Sequence, residues 1–157
     1  QLLRNISALR FLSKIWMPLS KNIVVIGGDL VGLELAEFLV ERGRTVKVLE
    51  PSASLGPNLS IVRRSRVVHM LKEHGVDLLT NVMIKEICGQ KVIFDHEKTE
   101  KSLQADQVII AIGASANLEL ADELNRLNIS LTSIGDCSSI GYIHGAVADA
   151  RKAVINL

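Results

Sequence analysis

The sequence predicts an α/β fold in which a parallel β-sheet is flanked by helices, with a small antiparallel β-meander as one crossover. Three apolar strand-like runs, Ile23–Ile26, Val46–Leu49 and Val108–Gly113, alternate with helix-like segments, as in a sheet that is buried on both faces. The composition agrees, because 48% of the 157 residues are hydrophobic and only 3% are aromatic. The core is therefore expected to consist of Val, Ile, Leu and Ala, and the chain is long enough to bury it as one domain.

The residues from 22 to 50 follow the order of a dinucleotide-binding βαβ unit. Strand Ile23–Ile26 is followed by the turn G-G-D-L-V-G, a helix-like run and a second strand that ends before Glu50. A turn without Cβ atoms lets the backbone amides at a helix N-terminus approach a pyrophosphate, whose charge the helix dipole favours. We therefore predict a Rossmann-like domain whose turn contacts a dinucleotide through Gly27, Gly28 and Gly32.

Glu50 stands where a carboxylate would bind the adenosine ribose. It follows Gly27 by 23 residues, close to the roughly 20 residues expected between turn and acid. Because a carboxylate repels a 2′-phosphate, Glu50 predicts NAD rather than NADP. NADP binding stays open as an alternative, because three arginines would contact a 2′-phosphate if the loop folded back. A solvated basic helix face is the simpler interpretation of these arginines. These arginines are Arg63, Arg64 and Arg66.

Asp29 departs from the glycine pattern. In G-x-G-x-x-G the second glycine would fall at position 29, where a ligand phosphate comes closest to the backbone. A carboxylate there repels a pyrophosphate unless it turns away or is protonated. Two interpretations follow: Gly28 lets the turn adopt a shifted conformation, or Asp29 is a helix N-cap in a domain that has lost tight cofactor binding.

Charge and cysteine content exclude several functional classes. The net charge of +1 gives no electrostatic case for nucleic acid, and no run approaches the ~20 apolar residues that a membrane span requires. Cys88 and Cys137 form no C-x-x-C motif, so neither a zinc site nor a redox dithiol is predicted. Free thiols indicate a reducing compartment, hence the cytoplasm. The histidines have no recognisable partners, and we predict no catalytic or metal-binding residue.

Residues 1–21 differ from the rest because they are basic and contain no acid. Their apolar residues recur at helical spacing, at Leu2, Ile6, Leu9, Leu12 and Trp16. We predict an amphipathic linker helix, ended by Pro18, that docks on a neighbouring domain. An organelle-targeting helix and a membrane-surface helix are the alternatives.

Between the βαβ unit and the C-terminus the pattern predicts alternating helices and strands. The first half comprises a helix Ile61–His74 stopped by Gly75, strands Val76–Leu79, Val82–Cys88 and Lys91–Phe94, and a polar turn His96–Ser102. After the strand Val108–Gly113, we predict a helix Leu118–Leu127, a strand Leu131–Ile134 and a terminal helix Ile143–Val154.

Several motifs resemble the pyridine-nucleotide-binding part of two-dinucleotide flavoprotein oxidoreductases. The resemblance covers about residues 22–157, through Val24-Val25-Ile26-Gly27-Gly28, Val31-Gly32-Leu33-Glu34, Ala105–Gly113 and Ile134-Gly135-Asp136-Cys137. Residues 142–146 and 150–153 are most similar to the C-terminal region of the 2,4-dienoyl-CoA reductase, NADH oxidase and trimethylamine dehydrogenase family. Those enzymes join such a module to an N-terminal FMN-binding barrel. The absence of C-x-x-C disfavours the thioredoxin-reductase-like branch.

The resemblance implies further cofactor-binding residues. Gly135 and Asp136 would face the ribityl and phosphate region of FAD, Gly113 would lie close to a dinucleotide, and Glu34 would reach towards the nicotinamide ribose. Three structural alternatives stay open: a helix cap at Asp136, a plain turn at Gly113 and a helix-surface role for Glu34. Since only one glycine-rich unit is present, we assign 22–130 to the NAD(P)-binding domain and 131–157 to the flavin-domain region.

The leading hypothesis is the NAD(H)-binding part of a flavin-dependent oxidoreductase, which presents the nicotinamide for hydride transfer to FAD. Its expected partners are the dinucleotide and the other domains of the same longer polypeptide, and it would not be active alone. One alternative is a nucleotide-fold module with weak or lost cofactor binding that serves a structural or electron-transfer docking role. A self-contained dehydrogenase or sensor is disfavoured because no substrate domain is recognisable.

Overall fold

The computed structural model describes residues 6–155, which divide into two compact units between Gly113 and Ala114. The predicted domain boundary at residue 130 stays a prediction. The first unit contains, in order, α1 (Ile6–Ile15), β1 (Asn22–Ile26), α2 (Leu30–Val40), β2 (Thr45–Leu49), α3 (Ile61–Glu73), β3 (Asp77–Leu79), β4 (Val82–Cys88), β5 (Lys91–His96), β6 (Thr99–Gln104) and β7 (Gln107–Ile110). The second contains α4 (Glu119–Arg126), a 3₁₀ turn (Gly135–Cys137) and α5 (Tyr142–Ile155).

A four-stranded parallel sheet forms the centre of the first unit, in the order β3-β2-β1-β7. Ile26 lies opposite both Leu49 and Ile110, so the three longer strands end at one level. Helical crossovers join β1 to β2 and β2 to β3, which places helices over the sheet. The predicted α/β fold is therefore confirmed, and the carboxyl ends of its strands share the edge at which such sheets bind ligands.

Alternation along β1 divides the core between the two faces of the sheet. Ile23 and Val25 belong to a cluster with residues of α2 and α3, whereas Val24 and Ile26 belong to a second cluster with residues of the meander. The first cluster includes Leu33, Ala36, Leu39, Val67 and Leu71, and the second includes Val82, Val92, Phe94 and Ala105. The meander therefore covers the sheet face on which a crossover helix would otherwise pack.

The meander β4-β5-β6 is antiparallel and confirms the predicted strand-based crossover. The prediction of a polar turn over His96–Ser102 is wrong, because β6 already begins at Thr99. Only Glu97 and Lys98 form the turn, with φ of +55° and +62°. Two left-handed residues match the twist of a tight hairpin. Since every residue of β6 except Leu103 is exposed, no apolar alternation marked this strand.

Two other predicted strands also differ from the structure. The strand expected over Val108–Gly113 ends at Ile110. The next residue still contacts β1, because Ala111 N–H donates to the Ile26 carbonyl at 2.7 Å. The strand expected over Leu131–Ile134 does not form in the described chain. Ile134 is extended, with φ −133° and ψ 151°, but a strand needs a neighbour, and the described residues of the second unit form only helices and turns.

The predicted helices α3, α4 and α5 are confirmed to within about two residues at each end. Helix α1 lies inside the predicted 1–21 segment, although Leu2 falls outside the described residues. The segment contacts the end of α2: Arg42 Nε donates to Ser13 Oγ at 3.0 Å, and Arg44 Nη2 donates to the Met17 carbonyl at 3.1 Å. None of the helices described is long and apolar enough to cross a membrane.

Candidate functional site

Two glycines of the β1–α2 turn, Gly27 and Gly32, are required by close packing against backbone atoms. A Cβ on Gly27, whose φ is +109°, would lie 2.2 Å from the Ala111 carbonyl oxygen. A Cβ on Gly32 would lie 1.9 Å from the Gly27 carbonyl oxygen, and one on Gly28 would lie 2.5 Å from Leu55 Cδ2. The turn therefore passes the residue after β7 and the start of α2 at distances that only glycine permits, whereas at Gly28 the close contact is the movable end of the Leu55 side chain in the β2–α3 loop.

Glu50 is buried beside this turn. Its Oε2 accepts a hydrogen bond from Gly28 N–H at 2.5 Å, and its Oε1 accepts one from Ser52 N–H at 2.7 Å. Only 8% of the residue is exposed, so these charge-assisted bonds lie in a shielded environment. A carboxylate has about four acceptor sites, and the two amides leave about two of them for a ligand hydroxyl. The predicted ribose-binding acid is thus oriented by the predicted phosphate-binding turn.

A cavity of about 260 Å³ lies at the carboxyl edge of the sheet. It is formed by three segments of the first unit, the β1–α2 turn (Gly27, Asp29), the residues after β2 (Glu50, Pro51, Ser52, Pro57) and the residues after β7 (Ala111, Ile112, Gly113). We call it the turn cavity. Its lining includes two acids, Glu50 and Asp29, and the buried Glu50 carboxylate suits the recognition of ligand hydroxyls.

Asp29 occupies the N-cap position of α2 with an extended backbone, but its side chain makes no hydrogen bond to the first turn of that helix. Instead, Oδ2 accepts from Asn58 Nδ2 at 2.6 Å and Oδ1 accepts from Asn58 N–H at 3.3 Å. Its carboxylate is therefore directed to the β2–α3 loop. One interpretation drawn from the sequence made Asp29 a helix N-cap. Asp29 does hold that position, but without the usual side-chain hydrogen bond.

The β2–α3 loop contributes contacts that the sequence did not reveal. Gly56 N–H donates to the Gly28 carbonyl at 2.7 Å, and Asn58 holds Asp29. The sequence Gly56-Pro57-Asn58 signals a turn, but no local pattern shows which distant residue a turn will contact. The loop thereby fixes both the backbone and the side chain of the glycine turn.

Glu34 is exposed and does not belong to the residues that line the turn cavity. Its carboxylate lies 3.5 Å from Arg63 Nη2, which also donates to Glu37 at 2.8 Å. The hydrogen bond to Glu37, with the negative charges of Glu37 and Glu34, raises the pKa of the Arg63 guanidinium above its usual value. Arg63 therefore joins α3 to α2, and the nicotinamide-side role of Glu34 stays a prediction.

The other predicted residues lie in different places. Gly113 lines the turn cavity with φ of +109°. Apart from its two chain neighbours, no described residue lies within 4 Å of a Cβ placed on it, so its backbone conformation rather than space favours glycine. Gly135 and Asp136 lie in the second unit. Asp136 Oδ1 accepts from Gly141 N–H and Tyr142 N–H, each at 2.9 Å, and thereby caps α5. Their flavin-binding role stays a prediction.

The fold and the turn define the Rossmann-like class of α/β domains. Comparison of sequences then gives the family: the profile of the pyridine nucleotide-disulphide oxidoreductases matches residues 1–146. The chain belongs to this family.

Two relatives by sequence and one solved structure to which the chain is similar are oxidoreductases. The chain is 32% identical to the bilirubin reductase of Mediterraneibacter gnavus (strain CC55_001C) over 135 residues, which is 86% of this chain and 20% of the relative. It is 29% identical to the NADH oxidase of Thermoanaerobacter brockii over 137 residues, 86% of this chain and 21% of that enzyme. The structure of a 2-naphthoyl-CoA reductase complex superposes with a TM-score of 0.80 at 25% identity, covering 96% of this chain and 23% of the other. The chain thus spans about a fifth of the length of these proteins.

Proposed function

We propose that the chain is the NAD(H)-binding part of a flavin-dependent oxidoreductase and presents the nicotinamide for hydride transfer to FAD. The flavin would be held with the help of other domains of the same longer polypeptide, as in the 2,4-dienoyl-CoA reductase, NADH oxidase and trimethylamine dehydrogenase family. Membership of the pyridine nucleotide-disulphide oxidoreductases supports this proposal. The main structural support is the Glu50 carboxylate, which lines the turn cavity while it binds the Gly28 amide.

The residues around the turn cavity fit a dinucleotide. Gly27 and Gly32 allow the chain to pass without side chains at the start of α2, so that a diphosphate would meet backbone amides and the positive end of the helix dipole. Glu50 would accept hydrogen bonds from the ribose hydroxyls. When bound, the nicotinamide supplies the hydride. This chain binds and orients it, and none of its side chains needs to act as an acid, base or nucleophile.

The same residues favour NAD(H) over NADP(H). A 2′-phosphate would lie against the buried Glu50 carboxylate and would be repelled by it. Arg63 is already paired with Glu37 and Glu34, which reduces its capacity to compensate for that repulsion. The preference is expected to depend on the charge of Glu50 rather than on its size.

Titration of the 157-residue chain with NADH and NADPH, followed by nucleotide fluorescence, tests the proposal. We expect saturable NADH binding with a Kd below about 1 mM and NADPH binding at least about tenfold weaker. Glu50→Gln should weaken NADH binding and reduce the preference, whereas Glu86→Gln, at an exposed acid of β4, should change neither. Absence of saturation by either nucleotide would contradict the proposal.

A further inference from the structure

Asp29, the acid at the second glycine position of the turn, is held by Asn58 of the β2–α3 loop. Asp29 stands at the N-cap of α2, and both of its carboxylate oxygens accept hydrogen bonds from Asn58, one from the backbone N–H and one from the side-chain amide. Asn58 lies in the same loop that binds Gly28 through Gly56. Asp29 is one of the residues that line the turn cavity, and Asn58 contacts it there.

Aspartate at an N-cap normally binds the helix that follows it. Its carboxylate accepts from the N–H groups of the second or third helical residue, here Val31 and Gly32, and gains from the helix dipole. Asp29 does not make this bond; its two oxygens accept from Asn58 instead, and these contacts direct the carboxylate to the β2–α3 loop. The amides that a cap would occupy are the same ones that a diphosphate would use.

We propose that Asn58 is a positioning residue that holds the Asp29 carboxylate away from the first turn of α2 and so keeps this turn open to the diphosphate of NAD(H). Without Asn58, Asp29 caps the helix, and the chain's own carboxylate then competes with the ligand for the same amides. This inference rests on the proposed function, but the capping step is independent of any ligand.

Three variants, Asn58→Ala, Asp29→Ala and the double variant, separate this role from general support of the loop. We expect Asn58→Ala to weaken the binding of NADH and ADP about fivefold, the factor associated with one N-cap hydrogen bond. The same Asn58 substitution should have no effect in the Asp29→Ala background, because no carboxylate remains to compete. Adenosine, which lacks phosphate, should bind all variants equally. Ser54→Ala, at an exposed position of the same loop, is the matched control.

Amide hydrogen exchange tests the capping step without a ligand. Exchange at Val31 or Gly32 should slow in Asn58→Ala relative to the wild type and return in the double variant. If exchange is unchanged in Asn58→Ala, or if this substitution weakens NADH and adenosine alike in both backgrounds, the positioning role is overturned. If exchange changes as expected but neither wild type nor Asp29→Ala binds NADH, the positioning role stands and the proposed function fails.

Discussion

The two units of the chain differ in how they use their apolar residues. In the first unit, β1, β2, α2, α3 and the meander bury side chains in two clusters. In the second, neither α4 nor α5 contributes a buried residue to the described structure, and Leu120, Ile143 and Val147 are 64–85% exposed. Hydrophobic content alone therefore does not make a core. The first unit has its own core, whereas the described part of the second unit, residues 114–155, carries exposed apolar side chains on its helices.

Two helical leucines test this difference most strongly. Leu39 of α2 is fully buried, whereas Leu120 of α4 is 68% exposed. Leu39→Ala should lower the free energy of unfolding by about 2–5 kcal/mol, because it removes transfer free energy and leaves a cavity. Leu120→Ala should change it by less than about 0.5 kcal/mol. Urea denaturation followed by circular dichroism measures both, and similar losses for the two variants would contradict the contrast between the units.

The sequence predicted the features whose signal is local. The apolar run of β1, the glycine turn and the acid after β2 each belong to a short, continuous pattern. The structure forms the strand and the turn and places the acid beside the turn, while the ligand-binding roles of the turn and the acid stay predictions. Gly75 likewise ends α3 with a φ of +73°. In these places one residue type satisfies a steric or conformational requirement that can be recognised without the rest of the molecule.

The features that were missed depend on distant contacts. The polar edge strand β6 forms because β5 offers it a complete ladder, from Lys91 opposite Gln104 to His96 opposite Thr99. Leu131–Ile134 has a strand-like composition but lacks a neighbouring strand among the described residues of its unit. The partnership of Asn58 with Asp29 spans 29 residues. None of these contacts has a signature in the sequence around it.

A smaller effect is expected at the surface of the first unit. Lys85 lies 2.8 Å from Asp95 and 3.0 Å from Glu100, across the three strands of the meander. The hydrogen bond to Asp95, and to a smaller extent the one to Glu100, raises the pKa of the Lys85 ammonium above its usual value. A raised pKa means that the pairing stabilises the fold below the ordinary lysine pKa of about 10.4 and is lost as the pH rises through the higher, folded-state value.

Lys85→Met should therefore lower the urea midpoint slightly at pH 8, and the gap from wild type should close as the pH rises above about 10.4. Lys91→Met, at an exposed lysine of β5, serves as the control. If Lys85→Met were as damaging as Leu39→Ala, surface charge rather than burial would stabilise the first unit. A gap that widened at high pH would contradict a stabilising role for the Lys85 ammonium.

The turn cavity of the first unit is where we expect the dinucleotide to bind. Amide chemical-shift mapping during an NADH titration is the decisive experiment. We expect saturable shifts centred on Gly27, Gly28, Gly32 and Gly113, the glycines of the turn and of the segment after β7. Unchanged amides at these glycines, together with the largest shifts in residues 114–157 or with none at all, would show that the dinucleotide does not bind in the turn cavity.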